Sequence, residues 1–111
     1  MYFKNKHNRL RTRGVQGIIN TTTQLILWAM IDNLRESGTK ADYLQVFVVS
    51  NDGRKDLMTI THSQEETENT PEYHNTITIP SFEERTHSFD KVKIYCIDDG
   101  NAQTMLLAEE Y

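Results

Sequence analysis

A single α+β domain, one main helix laid on one face of a mostly antiparallel sheet of about five or six strands, follows from three features of the sequence. One segment, Thr21 to Ser37, is both long enough and suitably patterned for a substantial helix. Downstream of it, short runs rich in Val, Ile, Thr and Tyr are punctuated by turn signals and read as strands. With 111 residues and 37% apolar content, the chain has room for one core and suits a thin two-layer fold.

The helix has a start, a stop and a face. Asn20 or Thr21 can cap its first turn, where Thr21, Thr22 and Thr23 fit better than in a helix interior. Leu25 to Ile31 is an unbroken apolar run, Leu34 continues it at helical spacing, and Gly38 supplies a left-handed stop. At 100° per residue, Leu27, Met30, Ile31 and Leu34 share one face with Thr23 among them, and this face is expected to meet the sheet. The opposite face carries Leu25, Trp28 and Ala29 among Thr22, Asp32, Arg35 and Glu36, a broader apolar surface than a helix with its back in water needs. Something is expected to cover Trp28: the chain's own N-terminal arm or a loop, or else a second protein, most simply another copy.

The remaining elements follow in order. Residues 1–9, MYFKNKHNR, have no sustained period and read as a basic, partly ordered arm in which Tyr2 and Phe3 dock, preceding a single domain over 10–111. Leu10 to Val15 alternates and reads as a first strand ending at Gly14. Tyr43 to Ser50 is the best strand, with Leu44, Val46 and Val48 on one face and Tyr43, Phe47 and Val49 on the other, so it belongs in the centre of the sheet. Asn51-Asp52-Gly53 is a hairpin signal, and Leu57 to His62 returns as an antiparallel partner. Ser63 to Asn75 is an acidic loop by composition, with Tyr73 placed to pin its end. Thr76 to Ile79 is a short strand closed by Pro80, and Ser81 to Ser88 a charged connection. Lys91 to Asp98 is a strand with Val92, Ile94 and Cys96 on one side and Tyr95 and Ile97 on the other; Asp98-Asp99-Gly100-Asn101 reverses the chain into a last strand, Thr104 to Ala108.

Charge is distributed unevenly. The net charge is −4, yet residues 1–31 hold Lys4, Lys6, Arg9, Arg11 and Arg13 without an acid, whereas the rest of the chain carries all sixteen acidic residues. A basic arm of this kind gives non-specific affinity for phosphate backbones, or lies on the acidic body of its own chain or a neighbour. The second reading is preferred, because an acidic body repels nucleic acid and the arm has no groove-reading motif. Cys96 stands alone, which excludes an internal disulfide and a multi-cysteine zinc site and suits a reducing cytoplasm. No apolar run is long enough to span a membrane and the N-terminus lacks a signal-peptide pattern, so a soluble cytoplasmic protein is expected.

Four groups merit a chemical reading. His62 followed by Glu65 and Glu66 places an imidazole near two carboxylates, the makings of a metal site or an acid/base pair, with His74 and His87 as possible further ligands; no helical spacing fixes them, and a histidine held by neighbouring hydrogen bonds is the preferred reading. Asp98-Asp99-Gly100-Asn101 resembles a fragment of a calcium loop without the remaining ligands, and turn chemistry explains it better. Cys96 on an apolar strand face reads as a buried small hydrophobe. Arg11 and Arg13, two positions apart on the expected strand, project to one side and can grip a phosphate or carboxylate together, or pair with the chain's own acids such as the Glu109-Glu110-Tyr111 terminus.

The wording of several segments resembles a known family. Thr12-Arg13-Gly14-Val15, Asp42-Tyr43-Leu44-Gln45-Val46-Phe47, His62-Ser63-Gln64-Glu65, Ile97-Asp98-Asp99-Gly100 and the C-terminal Gln103 to Tyr111 are similar to domain of unknown function family 960, small proteins of Gram-positive bacteria. The resemblance runs from about residue 11 to the end, and departures are expected at Thr67 to Thr70 and before Arg9. It implies a bacterial cytoplasmic protein and supplies no activity, cofactor or catalytic residue.

The expectation that emerges is a non-enzymatic interaction module that self-associates through Leu25, Trp28 and Ala29 on the second helix face or through a strand edge. Nucleic-acid association through the basic arm is the alternative, and an enzyme using His62 with Glu65 or Glu66 ranks last, since no nucleophile, phosphate loop or complete metal set accompanies them. No cofactor, metal or membrane partner is expected.

Overall fold

The computed structural model describes residues 2–51, 57–81 and 90–111. Its elements in chain order are β1 (Arg9–Arg11), α1 (Arg13–Ile18), α2 (Thr21–Glu36), β2 (Leu44–Asn51), β3 (Leu57–Gln64), β4 (Tyr73–Pro80), β5 (Lys91–Asp98) and β6 (Gln103–Leu107), followed by a 3-10 turn at Ala108–Glu110. The strands form one six-stranded sheet in the order β1-β6-β5-β2-β3-β4. Every neighbouring pair is antiparallel except β1 with β6, which run parallel. The α+β architecture, the mostly antiparallel sheet and the central place of β2 agree with the sequence reading, with the one parallel pair at the sheet edge.

Helix α2 forms as its sequence dictates. The Asn20 side chain accepts from Thr23 N at 2.8 Å, and Gly38 adopts φ +88° just past the end. Leu27, Met30, Ile31 and Leu34 are all buried, together with Thr23. They join Phe47 and Val49 of β2, Met58 and Ile60 of β3, Ile94 and Cys96 of β5, and Met105 and Leu107 of β6 in one core cluster. The core therefore lies between α2 and the inner face of the sheet. Phe3 of the arm is fully buried in it, at φ 60°, a left-handed backbone held by Phe3 N donating to Asp98 Oδ2 at 2.6 Å and by Arg35 donating to Phe3 O at 3.1 Å.

Two segments differ from the sequence reading. The first strand stops at Arg11, and Thr12 then caps α1 by accepting from Val15 N at 3.2 Å. Alternation over six residues competes poorly with a capping threonine that can start a turn directly. In the region read as an acidic loop, β3 runs on to Gln64 and β4 starts at Tyr73, so pairing reaches Gln64↔Tyr73. The intervening loop is closed by Thr67 and Thr70, whose hydroxyls lie 2.7 Å apart while the Thr67 hydroxyl accepts from Thr70 N. Asp52 and Gly53 of the hairpin signal, and most of the charged connection after Ser81, lie outside the described residues.

Candidate functional site

The helix face singled out by sequence is mostly occupied. Trp28 is only 9% exposed, and the Arg9 guanidinium lies over its ring at 4.7 Å from the centroid. Arg9 is fixed there by Asp32, at 2.6 and 3.2 Å, and by donating from Nε to Gln103 Oε1 at 2.7 Å. Lys6 adds contacts to Asp32 and Glu36 at 3.8 and 3.7 Å. The chain's own basic segment thus covers Trp28 and places two of its cations on acids of α2. Leu25 remains 63% exposed and Ala29 is exposed, two small patches with Trp28 removed from between them.

Arg11 and Arg13 do not share a strand face. Arg11 ends β1 and Arg13 opens α1, so their directions are set by different backbone geometries and the two-arginine grip read from alternation is not built that way. Both are exposed, and neither makes an ion pair among the described residues. The C-terminal acid instead serves α1: Glu110 Oε1 accepts from the Thr12 hydroxyl at 2.7 Å and from Leu107 N at 2.8 Å, bonds that hold its carboxyl below the ordinary range. Gly14 lies directly beneath it: a Cβ there would stand 2.6 Å from that carboxylate, so the Glu110 side chain would have to shift and give up these bonds.

His62 is structural. It is fully buried on the inner face of β3, stacked on Phe47 with ring centroids 4.5 Å apart and met edge-on by Tyr73 at 5.2 Å. Gln45 donates its amide to Asp42 O and to Gln64 Oε1, so its own oxygen accepts from His62 Nε2 at 2.7 Å. This places the proton on Nε2 and leaves Nδ1 without a partner. Gln64 extends the network by donating to Lys40 O and Pro71 O, tying the turn before β2 to the β3–β4 loop. Burial lowers the His62 pKa to about 4. Glu65 and Glu66 are exposed whereas the imidazole faces the core, so the three do not form one site. Among the described residues no group of three or more His, Cys, Asp or Glu side chains is placed to hold a metal ion; His87 lies outside those residues.

The aspartates and the cysteine have local explanations. Asp98 accepts from Gly100 N as well as from Phe3 N, and Asp99 Oδ1 accepts from Asn101 N and Ala102 N, which pulls the Asp99 pKa down. These bonds consume the carboxylates in a tight turn with Gly100 at φ +95°. Cys96 is fully buried, and desolvation raises its thiol far enough to keep it protonated.

The surface that sequence reading missed is the outer face of the sheet. The strand registers place Leu44, Val46 and Val48 of β2 beside Ile97, Tyr95 and Lys93 of β5, with Leu106 of β6 beside Tyr95. These apolar residues are half-buried and stand outside the core cluster, and no described helix or strand covers them. Leu10 of β1, 52% exposed, extends the surface at one edge, and Tyr111, 70% exposed, meets Tyr95 edge-on at 5.4 Å. Tyr43, at the rim, has its phenol pKa raised chiefly by Tyr111, with desolvation and the charges of Asp42 and Glu65 adding to it. The signal is present in Tyr43 to Ser50 as apolar residues on both faces, a pattern that by itself implies only a central place in the sheet.

The class defined by these features is a two-layer α+β protein in which α2 covers one face of the sheet and no described helix or strand covers the other. The chain belongs to the family described as staphylococcal protein of unknown function (DUF960), whose model matches residues 8–110. That span takes in the Thr67 to Thr70 segment where a departure from the family was expected. Among solved structures it is similar to a protein of unknown function from Enterococcus faecalis, with a TM-score of 0.73 and 22% identity over 94% of this chain and 90% of that one; the likeness is one of fold. No curated protein matches the chain. No helix among the described residues is long and apolar enough to cross a membrane.

Proposed function

We propose that the protein is a non-enzymatic interaction module that self-associates, and that the contact surface is the outer face of the sheet. One observation carries this reading: the apolar row formed by Leu44, Val46, Tyr95, Ile97 and Leu106 lies outside the core with no described element over it. Apolar residues at the centre of a sheet face contribute most when water is excluded from both sides, and exposed patches of this kind mark interaction surfaces. The second helix face loses support because Arg9 already covers Trp28, leaving Leu25 and Ala29 apart.

Light scattering over a concentration series tests the proposal on three proteins. The native chain should gain mass with concentration, Val46→Asp should remain a monomer, and Leu25→Lys should behave as the native chain does. A constant monomer mass for the native chain at every concentration would remove the reading.

Nucleic-acid association through Lys4, Arg11 and Arg13 has one observation in its favour, the exposure of all three side chains. It has less support than self-association, because Lys6 and Arg9 are committed to Asp32 and Glu36. Retention of DNA or RNA that is absent at low salt dismisses it.

A further inference from the structure

We infer that two copies stack through the outer sheet face about a two-fold axis running across the strands, so that Lys93 and Lys91 of one copy meet Glu65 and Asp42 of the other. The inference rests on the self-association proposed above and adds its geometry. It follows from how charge is ordered along the strands. Tyr95 and Val46 are register partners at the middle of the face. Toward the start of β5 stand Lys93 and then Lys91, opposite Val48 and Ser50, and both lysines are exposed. Asp42 precedes Val46 by as many residues as Lys91 precedes Tyr95, but because β2 and β5 are antiparallel it lies toward the other end of the sheet. Glu65 is at that end too: Ser63 pairs with Val46, and Glu65 comes two residues after it, level with Leu44. Both acids are close enough to act on the Tyr43 phenol, and both lie at the end that β2 enters.

Face-to-face sheets pack about 10 Å apart with strands nearly aligned, within reach of lysine side chains on both sides. An axis along the strands would set the lysines of one copy over those of the other. An axis across them sets the basic end over the acidic end twice, while the apolar middle meets its own copy. The acidic end also disfavours a polyanion lying along the whole face, which favours a second copy over nucleic acid as occupant.

The test uses charge exchange on the full chain, read by sedimentation and by native mass spectrometry with one partner isotopically labelled. Lys93→Glu alone and Glu65→Lys alone should each weaken association at least about tenfold, because each places two like-charge pairs across the axis. An equimolar mixture of the two variants should recover native-like association as a heterodimer, since both contacts then become attractive. If the native chain associates and the mixture shows no heterodimer preference, the stacking geometry is overturned while self-association stands. If the native chain is monomeric at every concentration, both are overturned. Retention of single-stranded RNA by the native chain, lost in Lys93→Glu, overturns the inference in favour of a nucleic-acid occupant.

Discussion

An imidazole stacked on Phe47, with Nδ1 facing no donor, takes up a proton readily only after the core opens. The folded pKa of about 4 lies below the ordinary 6.5, so the sign is fixed. Above 6.5 neither state is protonated and His62 leaves stability intact; as pH falls from 6.5 toward 4 the unfolded chain gains a proton that the folded chain refuses. Stability near pH 5 should be lower than near pH 7 by about 2 kcal/mol on this account. Denaturant titrations at the two pH values check it, with His62→Leu expected to lose that part of the difference; an undiminished difference in the variant would place its origin elsewhere. Gly14 gives a second residue-scale prediction. Gly14→Ala should cost about 1 kcal/mol or more through the Glu110 contact, yet be neutral or stabilising in a Glu110→Ala background, where only the helix preference of alanine remains. Equal costs in both backgrounds would show that the carboxylate is not what requires glycine.

Among the elements, α2 was legible in sequence because a sixteen-residue helix repeats its 3.6 period several times and carries its own cap. Asn20→Ala should therefore cost about 1 kcal/mol in thermal or chemical unfolding, and no measurable loss would mean that the cap bond is made elsewhere. What covers Trp28 was posed by the sequence and left open between the arm and a partner, because an arginine nineteen residues upstream declares no register with the helix. Arg9→Ala should red-shift the Trp28 fluorescence and leave Asp32 without its guanidinium; an unmoved spectrum would count against the stacked arrangement. Helix α1 was not legible. Its six residues include Gly14 and Gly17, poor helix formers, and its stabilising contact comes from Glu110 at the other end of the chain. The two arginines read as a pair fell on either side of the boundary this helix creates.

For the molecule as a whole, strand identity was readable while strand order was not, since periodicity names faces and says nothing of neighbours. The sequence placed apolar residues on both faces of Tyr43 to Ser50, but only the topology tells which face α2 takes. The same limit applies to His62: its nearness to Glu65 in sequence suggested a site, whereas alternation along β3 sends the imidazole into the core and the chain beyond Gln64 out to solvent. Docking of the arm was anticipated at Phe3, though its depth was not. Phe3→Ala should destabilise the fold by about 3 kcal/mol, the usual cost of emptying a fully buried aromatic site, and a change under about 1 kcal/mol would show the ring to be dispensable.

The parallel pairing of β1 with β6 bears on how the chain is made. Phe3 and Arg9 to Arg11, translated before the rest of this domain, find their partners in Asp98 and in Gln103 to Met105, which are translated after most of it. Until then Phe3 and the edge strand wait without those partners, while β2 and β3 already have each other. Folding of this edge must follow synthesis of nearly the whole domain, and such long-range closure is intrinsically slow. Nascent chains arrested before Gln103 should thus hold the arm accessible to protease and release it into protection only after β6 has emerged.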